Sequence, residues 1–231
     1  MITTLEITTT VPCVNKCPYC PQRVLIEAYS GQKAMDMAMF KAALKKLPHA
    51  KIHFSGFAEP FGHPDCINFI LEAYRTGHKI GVYTNGMHIR PRDMDILSLL
   101  TIEPFVLHVP PSYEVECSKA HEKLNEKKIK HDIYFVGHNQ EVVSRAGNIG
   151  KPDNALSGII GGCTDNRHRQ PVLLPDGTLA LCCMDYGLRH VIGNILSDSI
   201  DDIHKKQEEI VTMWRVKNSK ILCRGCNRAH A

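Results

Sequence analysis

The chain has 231 residues, of which 43% are hydrophobic and 23% charged, enough apolar material for a folded core and too much for a disordered polyampholyte. The net charge is only +4 and no Lys/Arg run is longer than two, which disfavours a nucleic-acid groove. No stretch reaches the ~18 apolar residues of a membrane span, and the first residues do not resemble a signal peptide. We therefore expect a cytoplasmic protein without membrane or nucleic-acid partners, whose ten cysteines bind metal rather than form disulfides.

The first 137 residues alternate predicted strands with predicted helices, the pattern of βαβ units and a parallel sheet. Apolar and β-branched runs predict strands over residues 5–10, 51–56, 80–86, 105–109 and 132–137. Apolar residues at helical spacing predict helices over 34–47, 65–75, 92–100 and 115–127. A complete eight-unit barrel needs roughly 250 residues. The predicted fold class is therefore α/β, a partial (β/α) TIM-like barrel of about five to six units.

The alternation of predicted strands and helices ends before a loop-like stretch at 145–158. This change predicts two domains, 1–150 and 151–231. Residues 171–183 hold two apolar runs around Pro-Asp-Gly-Thr, a hairpin signal. A helix is predicted from Ser199 to about residue 217, with Ser199 as its N-cap. The second domain is thus expected to be small, with a β-hairpin and a helix.

Cys13, Cys17 and Cys20 form a C-x₃-C-x₂-C motif directly after the first predicted strand. A structural zinc site needs four ligands, whereas three thiolates suit a [4Fe–4S] cluster with one iron open to an outside ligand. The alternative is a zinc knuckle completed from elsewhere in the chain. The motif and its position resemble the radical S-adenosylmethionine (SAM) superfamily.

That resemblance implies SAM and a SAM-binding [4Fe–4S] cluster as cofactors, and it assigns roles to residues after successive strands. Tyr19 would pack beside the cluster. The run Ser-Gly-Phe-Ala-Glu-Pro at 55–60 replaces the family's Gly-Gly-Glu-Pro-like segment, which holds the amino group of SAM, and Thr-Asn-Gly at 84–86 is a frequent family motif that is also an ordinary turn. The expected SAM-binding residues are Tyr19, Gly56, Glu59, Pro60, Thr84, Asn85 and, at the ribose, Ser112.

A second cysteine group lies in the C-terminal part of the chain. The pattern C-x₁₃-G-x₄-C, followed by a terminal C-x₂-C, resembles the SPASM/twitch extension of some radical SAM enzymes, here in its short form. The resemblance implies an auxiliary [4Fe–4S] cluster held by Cys163, Cys182, Cys223 and Cys226. A zinc ribbon is the alternative, because four cysteines with a closing C-x₂-C also bind structural zinc.

Three kinds of polar residue near these motifs have two interpretations each. The Gly177 spacing favours Cys182 over Cys183 as the ligand, so Cys183 is either a hydrogen-atom donor beside the substrate or a small buried residue. Asp185 is a candidate general base or a turn residue. His53, His108 and His138 could face the barrel lumen or be structural.

The resemblance implies an enzyme that cleaves SAM reductively to a 5′-deoxyadenosyl radical, which abstracts hydrogen from a substrate. We expect a small polar metabolite, such as a sugar, cyclitol or nucleoside, and oxidation or epimerisation as the outcome. A truncated barrel with one auxiliary cluster is similar to the aminocyclitol dehydrogenases of this superfamily. The external one-electron reductant would be a flavodoxin or ferredoxin. The alternatives are modification of a peptide or protein, disfavoured by a first strand that starts at residue 5, and a non-catalytic zinc-binding protein.

Overall fold

A computed structural model describes residues 2–136 and 143–231, and ten strands are assigned in that part of the chain. The first five are β1 (Thr4–Ile7), β2 (Lys51–Phe54), β3 (Ile80–Thr84), β4 (Phe105–Val109) and β5 (Asp132–Phe135). The others are β6 (Gly162–Cys163), β7 (Val172–Leu173), β8 (Thr178–Ala180), β9 (Val191–Asn194) and β10 (Ala229–His230). The helices are α1 (Gln22–Ala28), α2 (Met37–Lys46), α3 (Cys66–Arg75), α4 (Pro91–Leu97), α5 (Glu114–Glu126) and α6 (Ile200–Thr212).

Eight of these strands form one sheet in the order β5-β4-β3-β2-β1-β7-β8-β9. The strands from β5 to β7 in that order are all parallel, and β8 and β9 are antiparallel. The predicted α/β partial barrel of five to six units is therefore confirmed. Because parallel strands end at one edge of the sheet, the loops that follow them lie together.

The predicted hairpin extends this sheet instead of standing apart from it. Its first strand, β7, pairs in parallel with β1 through Glu6 with Val172 and Ile7 with Leu173. The division at residue 150 stays a prediction, but the second segment supplies the sixth parallel strand. As a result, side chains that follow β7 and β8 share a surface with those on β1.

The helices pack their apolar faces on the outer side of the sheet. Phe40 of α2 lies 6.0 Å from Phe54 of β2 and 5.1 Å from Phe69 of α3, measured between ring centroids. All three rings are fully buried, so they fix both helices against the strand that precedes the site. No helix in the two described ranges is both long and apolar enough to span a membrane.

The predicted N-cap of α6 is confirmed. The Ser199 hydroxyl accepts a hydrogen bond from the Asp202 backbone N–H at 3.1 Å, and Asp201 and Asp202 occupy the first turn, where negative charge complements the helix dipole. The helix ends at Thr212, earlier than expected, because a 3₁₀ turn at Met213–Arg215 follows and buries Trp214.

Candidate active site

A cavity of about 620 Å³ opens toward the carboxyl ends of the parallel strands. Its lining comes from the cysteine loop after β1, from strands β1 to β5 and from the segment around Cys183. Parts of the chain that are far apart in sequence therefore meet around one volume. This size lies within the range of small-molecule sites.

Cys13, Cys17 and Cys20 all line this cavity. The Cys13 Sγ accepts hydrogen bonds from the backbone N–H groups of Asn15 at 3.4 Å and Glu59 at 3.2 Å. Burial raises the pKa of all three thiols, that of Cys13 to about 11. These sulfurs would be thiolates with a metal cluster bound, since a coordinating thiol is deprotonated outright. Tyr19 lies beside Cys17, and burial together with that thiolate raises the pKa of its phenol.

Glu59 joins the two segments that the sequence assigned separately to SAM. Its Oε1 accepts from the Thr84 hydroxyl at 2.5 Å and its Oε2 from the Asn85 N–H at 2.9 Å. Pro60 begins the 3₁₀ turn that follows, whose Phe61 N–H also donates to Glu59. Burial raises the pKa of Glu59, and these hydrogen bonds oppose the rise. The carboxylate therefore fixes the loops after β2 and β3 against each other beside the cysteine loop.

Gly56 occupies a position where a side chain has no room. Its φ is +63°, and a Cβ atom would lie 2.3 Å from the Thr8 Oγ1. That hydroxyl accepts a hydrogen bond from the Phe57 N–H at 3.0 Å. The close approach of this loop to β1 requires glycine.

Gly56→Ala is expected to lower the free energy of unfolding by more than the roughly 1–3 kcal/mol of left-handed backbone strain, because the steric conflict with Thr8 adds to it. Gly77→Ala is the matched control, since Gly77 has a φ of +82° but nothing within 4 Å of its would-be Cβ. Urea denaturation of both variants measures the difference. Equal losses in the two variants would contradict the steric part of this argument.

Ser112 is exposed on the 3₁₀ turn Pro111–Tyr113 and is absent from the lining of the cavity as the described residues define it. Its contact with the SAM ribose stays a prediction. The neighbouring Tyr113, which the sequence analysis did not single out, accepts a hydrogen bond from the Lys16 N–H at 3.2 Å through its Oη. This bond ties the turn after β4 to the cysteine loop.

A charged cluster also lines the cavity. Arg167 donates from Nη1 to the Cys183 Sγ at 2.9 Å, and the same Nη1 lies 3.8 Å from Glu6 Oε1. Ser55 donates to Glu6 Oε2 at 3.2 Å. Burial raises the pKa of Glu6, with the Arg167 charge opposing the rise, and burial raises that of the Cys183 thiol to about 11. Cys183 is thus a protonated thiol that faces the cavity, held by a cation.

Four rings from four neighbouring strands form a continuous row along the cavity, which we call the ring row: His53, Tyr83, His108 and Tyr134. Successive centroids are 5.4, 5.8 and 5.6 Å apart. Burial lowers the pKa of both histidines to about 4, so they are neutral at physiological pH. The predicted third histidine, His138, lies outside the described residues.

The four remaining predicted cysteines, Cys163, Cys182, Cys223 and Cys226, line a second, much smaller pocket. The β6–β10 ladder pairs Cys163 with Ala229, which brings it beside the terminal C-x₂-C. Cys182 faces this pocket, whereas Cys183 faces the large cavity. Two adjacent cysteines therefore line two different pockets, and Arg167, Met184 and Arg228 line both.

Asp185 lies in a turn. Its two carboxylate oxygens accept from the backbone N–H groups of Arg189 at 2.9 Å and His190 at 2.7 Å, and it is 1% exposed. The lining of the large cavity, as far as the chain is described, does not include it. This geometry favours the turn role, and the role of general base stays an untested prediction.

The donor sets at both pockets fit iron–sulfur clusters. Each consists of thiols only, three at the cavity and four at the small pocket, and burial raises the pKa of Cys223 to about 12 and that of Cys182 well above its ordinary value. Buried side-chain nitrogens of His168 and Arg228, which line the small pocket, have no hydrogen-bond partner among the described residues. Cluster sulfurs would supply acceptors for N–H groups of this kind. No three His, Cys, Asp or Glu side chains in residues 2–136 and 143–231 surround a point that fits a single metal ion.

Comparison with protein families distinguishes iron–sulfur clusters from structural zinc. The sequence profile of the radical SAM superfamily matches residues 7–168, which is well over half of the chain. The chain belongs to the radical SAM superfamily. The profile of the SPASM iron–sulfur cluster-binding domain matches residues 163–227 of this radical SAM protein. Its cofactors are accordingly SAM and [4Fe–4S] clusters, and it needs an external reductant.

Solved structures of low sequence identity share the fold. BtrN in complex with AdoMet and 2-DOIA superposes with a TM-score of 0.78 at 21% identity, covering 98% of this chain and 93% of that one. Native anSMEcpe with bound AdoMet gives 0.65 at 15% identity, covering 97% and 86%. Streptococcus suis SuiB bound to the precursor peptide SuiA gives 0.70 at 14% identity, covering 98% and 70%. No match was found among curated proteins.

Proposed function

We propose that this radical SAM enzyme epimerises a small polar metabolite of the sugar, cyclitol or nucleoside class. The observation that carries the proposal is a single cavity lined both by the Cys13–Cys17–Cys20 loop and by the Cys183 thiol. A substrate in this cavity would have access to the group that removes a hydrogen atom and to a group that returns one.

The three thiols of the loop would hold the SAM-binding cluster, with Tyr19 packed beside it. Gly56, Glu59, Pro60, Thr84 and Asn85 would form the SAM site through the loops that the Glu59 carboxylate fixes together. When bound, these cofactors supply a 5′-deoxyadenosyl radical, made by one-electron cleavage of SAM, that removes a hydrogen atom from an unactivated C–H bond. The protein's own part is to orient SAM and substrate and to exclude water.

The ring row supports a compact polar substrate that carries hydroxyl groups. Among the described residues, no side-chain nitrogen or oxygen of the ring row has a hydrogen-bond partner in the protein. Neutral imidazoles and phenols both donate and accept hydrogen bonds, as hydroxyl groups of a polyol require, while their ring faces contact its C–H groups. BtrN, the structural relative solved with 2-DOIA, is consistent with a small substrate in this fold.

Cys183 would supply the returning hydrogen atom. After the SAM-derived radical had taken a hydrogen atom from the substrate carbon, the Cys183 S–H bond would break and its hydrogen atom would form a new C–H bond on the opposite face of that carbon. The sulfur then needs one electron and one proton to become a thiol again. The electron would come from the external reductant through the auxiliary cluster, whose expected ligand Cys182 is the adjacent residue.

Turnover in D₂O with reductant, SAM and a panel of sugars, cyclitols and nucleosides tests the proposal. Because the Cys183 thiol exchanges with solvent, an epimerised product should be one mass unit heavier than the substrate, with the deuterium on the inverted carbon. The measurement is mass spectrometry with NMR of the product.

Two other outcomes of this assay would replace the proposal. A product two mass units lighter, without deuterium on carbon, would mean oxidation, with the auxiliary cluster as electron acceptor. Product from a peptide panel alone would mean peptide or protein modification.

A further inference from the structure

Buried polar atoms without partners concentrate around the small pocket. Six buried side-chain nitrogens or oxygens have no hydrogen-bond partner in the described part of the chain: Thr10 Oγ1, His78 Nδ1, Arg167 Nε, His168 Nδ1, Trp214 Nε1 and Arg228 Nε. The last four belong to residues that line the pocket of Cys163, Cys182, Cys223 and Cys226. The Arg167, Trp214 and Arg228 nitrogens are N–H donors, and His168 Nδ1 is a donor in the tautomer that carries its proton there. A buried donor left without an acceptor costs about 1–3 kcal/mol, so this group around one pocket points to acceptors that occupy it.

Trp214 is the best defined of the four. It is 8% exposed and its indole N–H has no acceptor in hydrogen-bonding geometry. Its ring meets that of His168 edge-on at 5.0 Å. Trp214 therefore lines the small pocket with a buried N–H that has no hydrogen-bond partner among the described residues.

Two arginines complete the set from the side of the large cavity. Arg228 donates its backbone N–H to the Cys226 Sγ at 3.4 Å and its Nη1 to Asp165 at 3.4 Å, which leaves Nε unpartnered. Arg167 contacts Cys183 through Nη1 at 2.9 Å, while its Nε has no hydrogen-bond partner and lies 3.9 Å from Asp165 Oδ2. Both arginines line both pockets. Their positive charges therefore stand between the substrate cavity and the auxiliary site.

We infer that Trp214, Arg228, His168 and Arg167 form a shell of N–H donors to the sulfurs of the auxiliary cluster and that this shell raises its reduction potential. Hydrogen bonds and positive charge near cluster sulfurs stabilise the reduced, more negative state. A higher potential would let the auxiliary cluster hold an electron next to Cys183. The inference rests on the proposed function, since it assumes that the small pocket holds an iron–sulfur cluster.

Trp214→Phe tests the inference because it removes the N–H and keeps an aromatic ring against His168. In an EPR-monitored redox titration of the reconstituted holoenzyme, the auxiliary cluster of this variant should reduce at a lower potential than in the wild type. The SAM-binding cluster is recognised because its signal changes when SAM is added. After exchange into D₂O, pulsed EPR of the reduced auxiliary cluster should show a deuteron coupling that Trp214→Phe loses.

Arg228→Met is the second variant, in case the tryptophan site tolerates no change, and it should also lower the potential. Tyr74→Phe is the control, since Tyr74 is an exposed residue of α3 that lines neither pocket and loses one polar hydrogen. Unchanged auxiliary potentials in both test variants, at full iron content, would overturn the inference, as would zinc in the small pocket. SAM cleavage is scored separately, so failure of the radical chemistry is distinguishable from failure of the donor shell.

Discussion

Replacement of Cys13, Cys17 or Cys20 by alanine is expected to abolish 5′-deoxyadenosine formation completely. A cubane bound by three thiolates has no spare ligand, and the three thiols line the same cavity. Each variant should lose about four of the about eight irons expected for two [4Fe–4S] clusters. Iron analysis and anaerobic incubation with SAM and dithionite measure both effects.

Cys117→Ala is the matched control for this series. Cys117 is a fully buried cysteine of α5 whose thiol donates to the His108 carbonyl at 3.7 Å, and it belongs to neither cysteine group. This variant should keep its iron and cleave SAM. Full iron content and activity in a Cys17→Ala or Cys20→Ala protein would show that the motif is not the cluster site.

Cys183→Ala is expected to keep about eight irons and to cleave SAM, yet to give no epimerised product. Its thiol faces the large cavity and would be the hydrogen donor, so its loss leaves the substrate radical without a partner. Cys183→Ser should behave alike, because a hydroxyl O–H bond is too strong to donate a hydrogen atom. Product mass after turnover in D₂O and 5′-deoxyadenosine yield are the measurements.

The neighbouring residue provides the contrast for this prediction. Cys182 faces the small pocket, so Cys182→Ala should lose about four irons. An unchanged product with solvent deuterium in Cys183→Ala would remove the thiol from the reaction. Iron loss in Cys183→Ala with none in Cys182→Ala would show that Cys183, and not Cys182, is the cluster ligand.

Much of the barrel could be predicted because its strands are short apolar runs separated by amphipathic helices. Strand β4 was predicted with its observed bounds, and α3 to within one residue. Helix α1 was missed, since seven residues after the cysteine loop are too few to display an apolar stripe. Strand β9 was missed because Gly193, with a φ of +144°, interrupts a four-residue run.

The two cysteine groups were visible in the sequence, whereas the contacts between distant segments were not. Which of Cys182 and Cys183 faces which pocket depends on the register of the hairpin against β1, which spacing alone does not fix. In the sequence, Glu6 is a single charged residue of a predicted strand, and nothing near it indicates that it pairs with Arg167. The register pairs Tyr134 with His108 and His53 with Gly81, and strand alternation places Tyr83 on the same face as Gly81. Because this register is known only from the structure, the sequence did not identify either tyrosine as part of the site.

The central claim is that substrate and SAM meet in one cavity beside the three-thiol loop. Deuterium transfer from a labelled substrate to the 5′-deoxyadenosine formed from SAM tests this claim most directly. Anaerobic turnover of the reconstituted protein with a substrate deuterated at the reacting carbon should yield 5′-deoxyadenosine one mass unit heavier than the unlabelled compound. A reconstituted, iron-replete protein that makes no 5′-deoxyadenosine, or makes it without deuterium while product forms, would contradict the account.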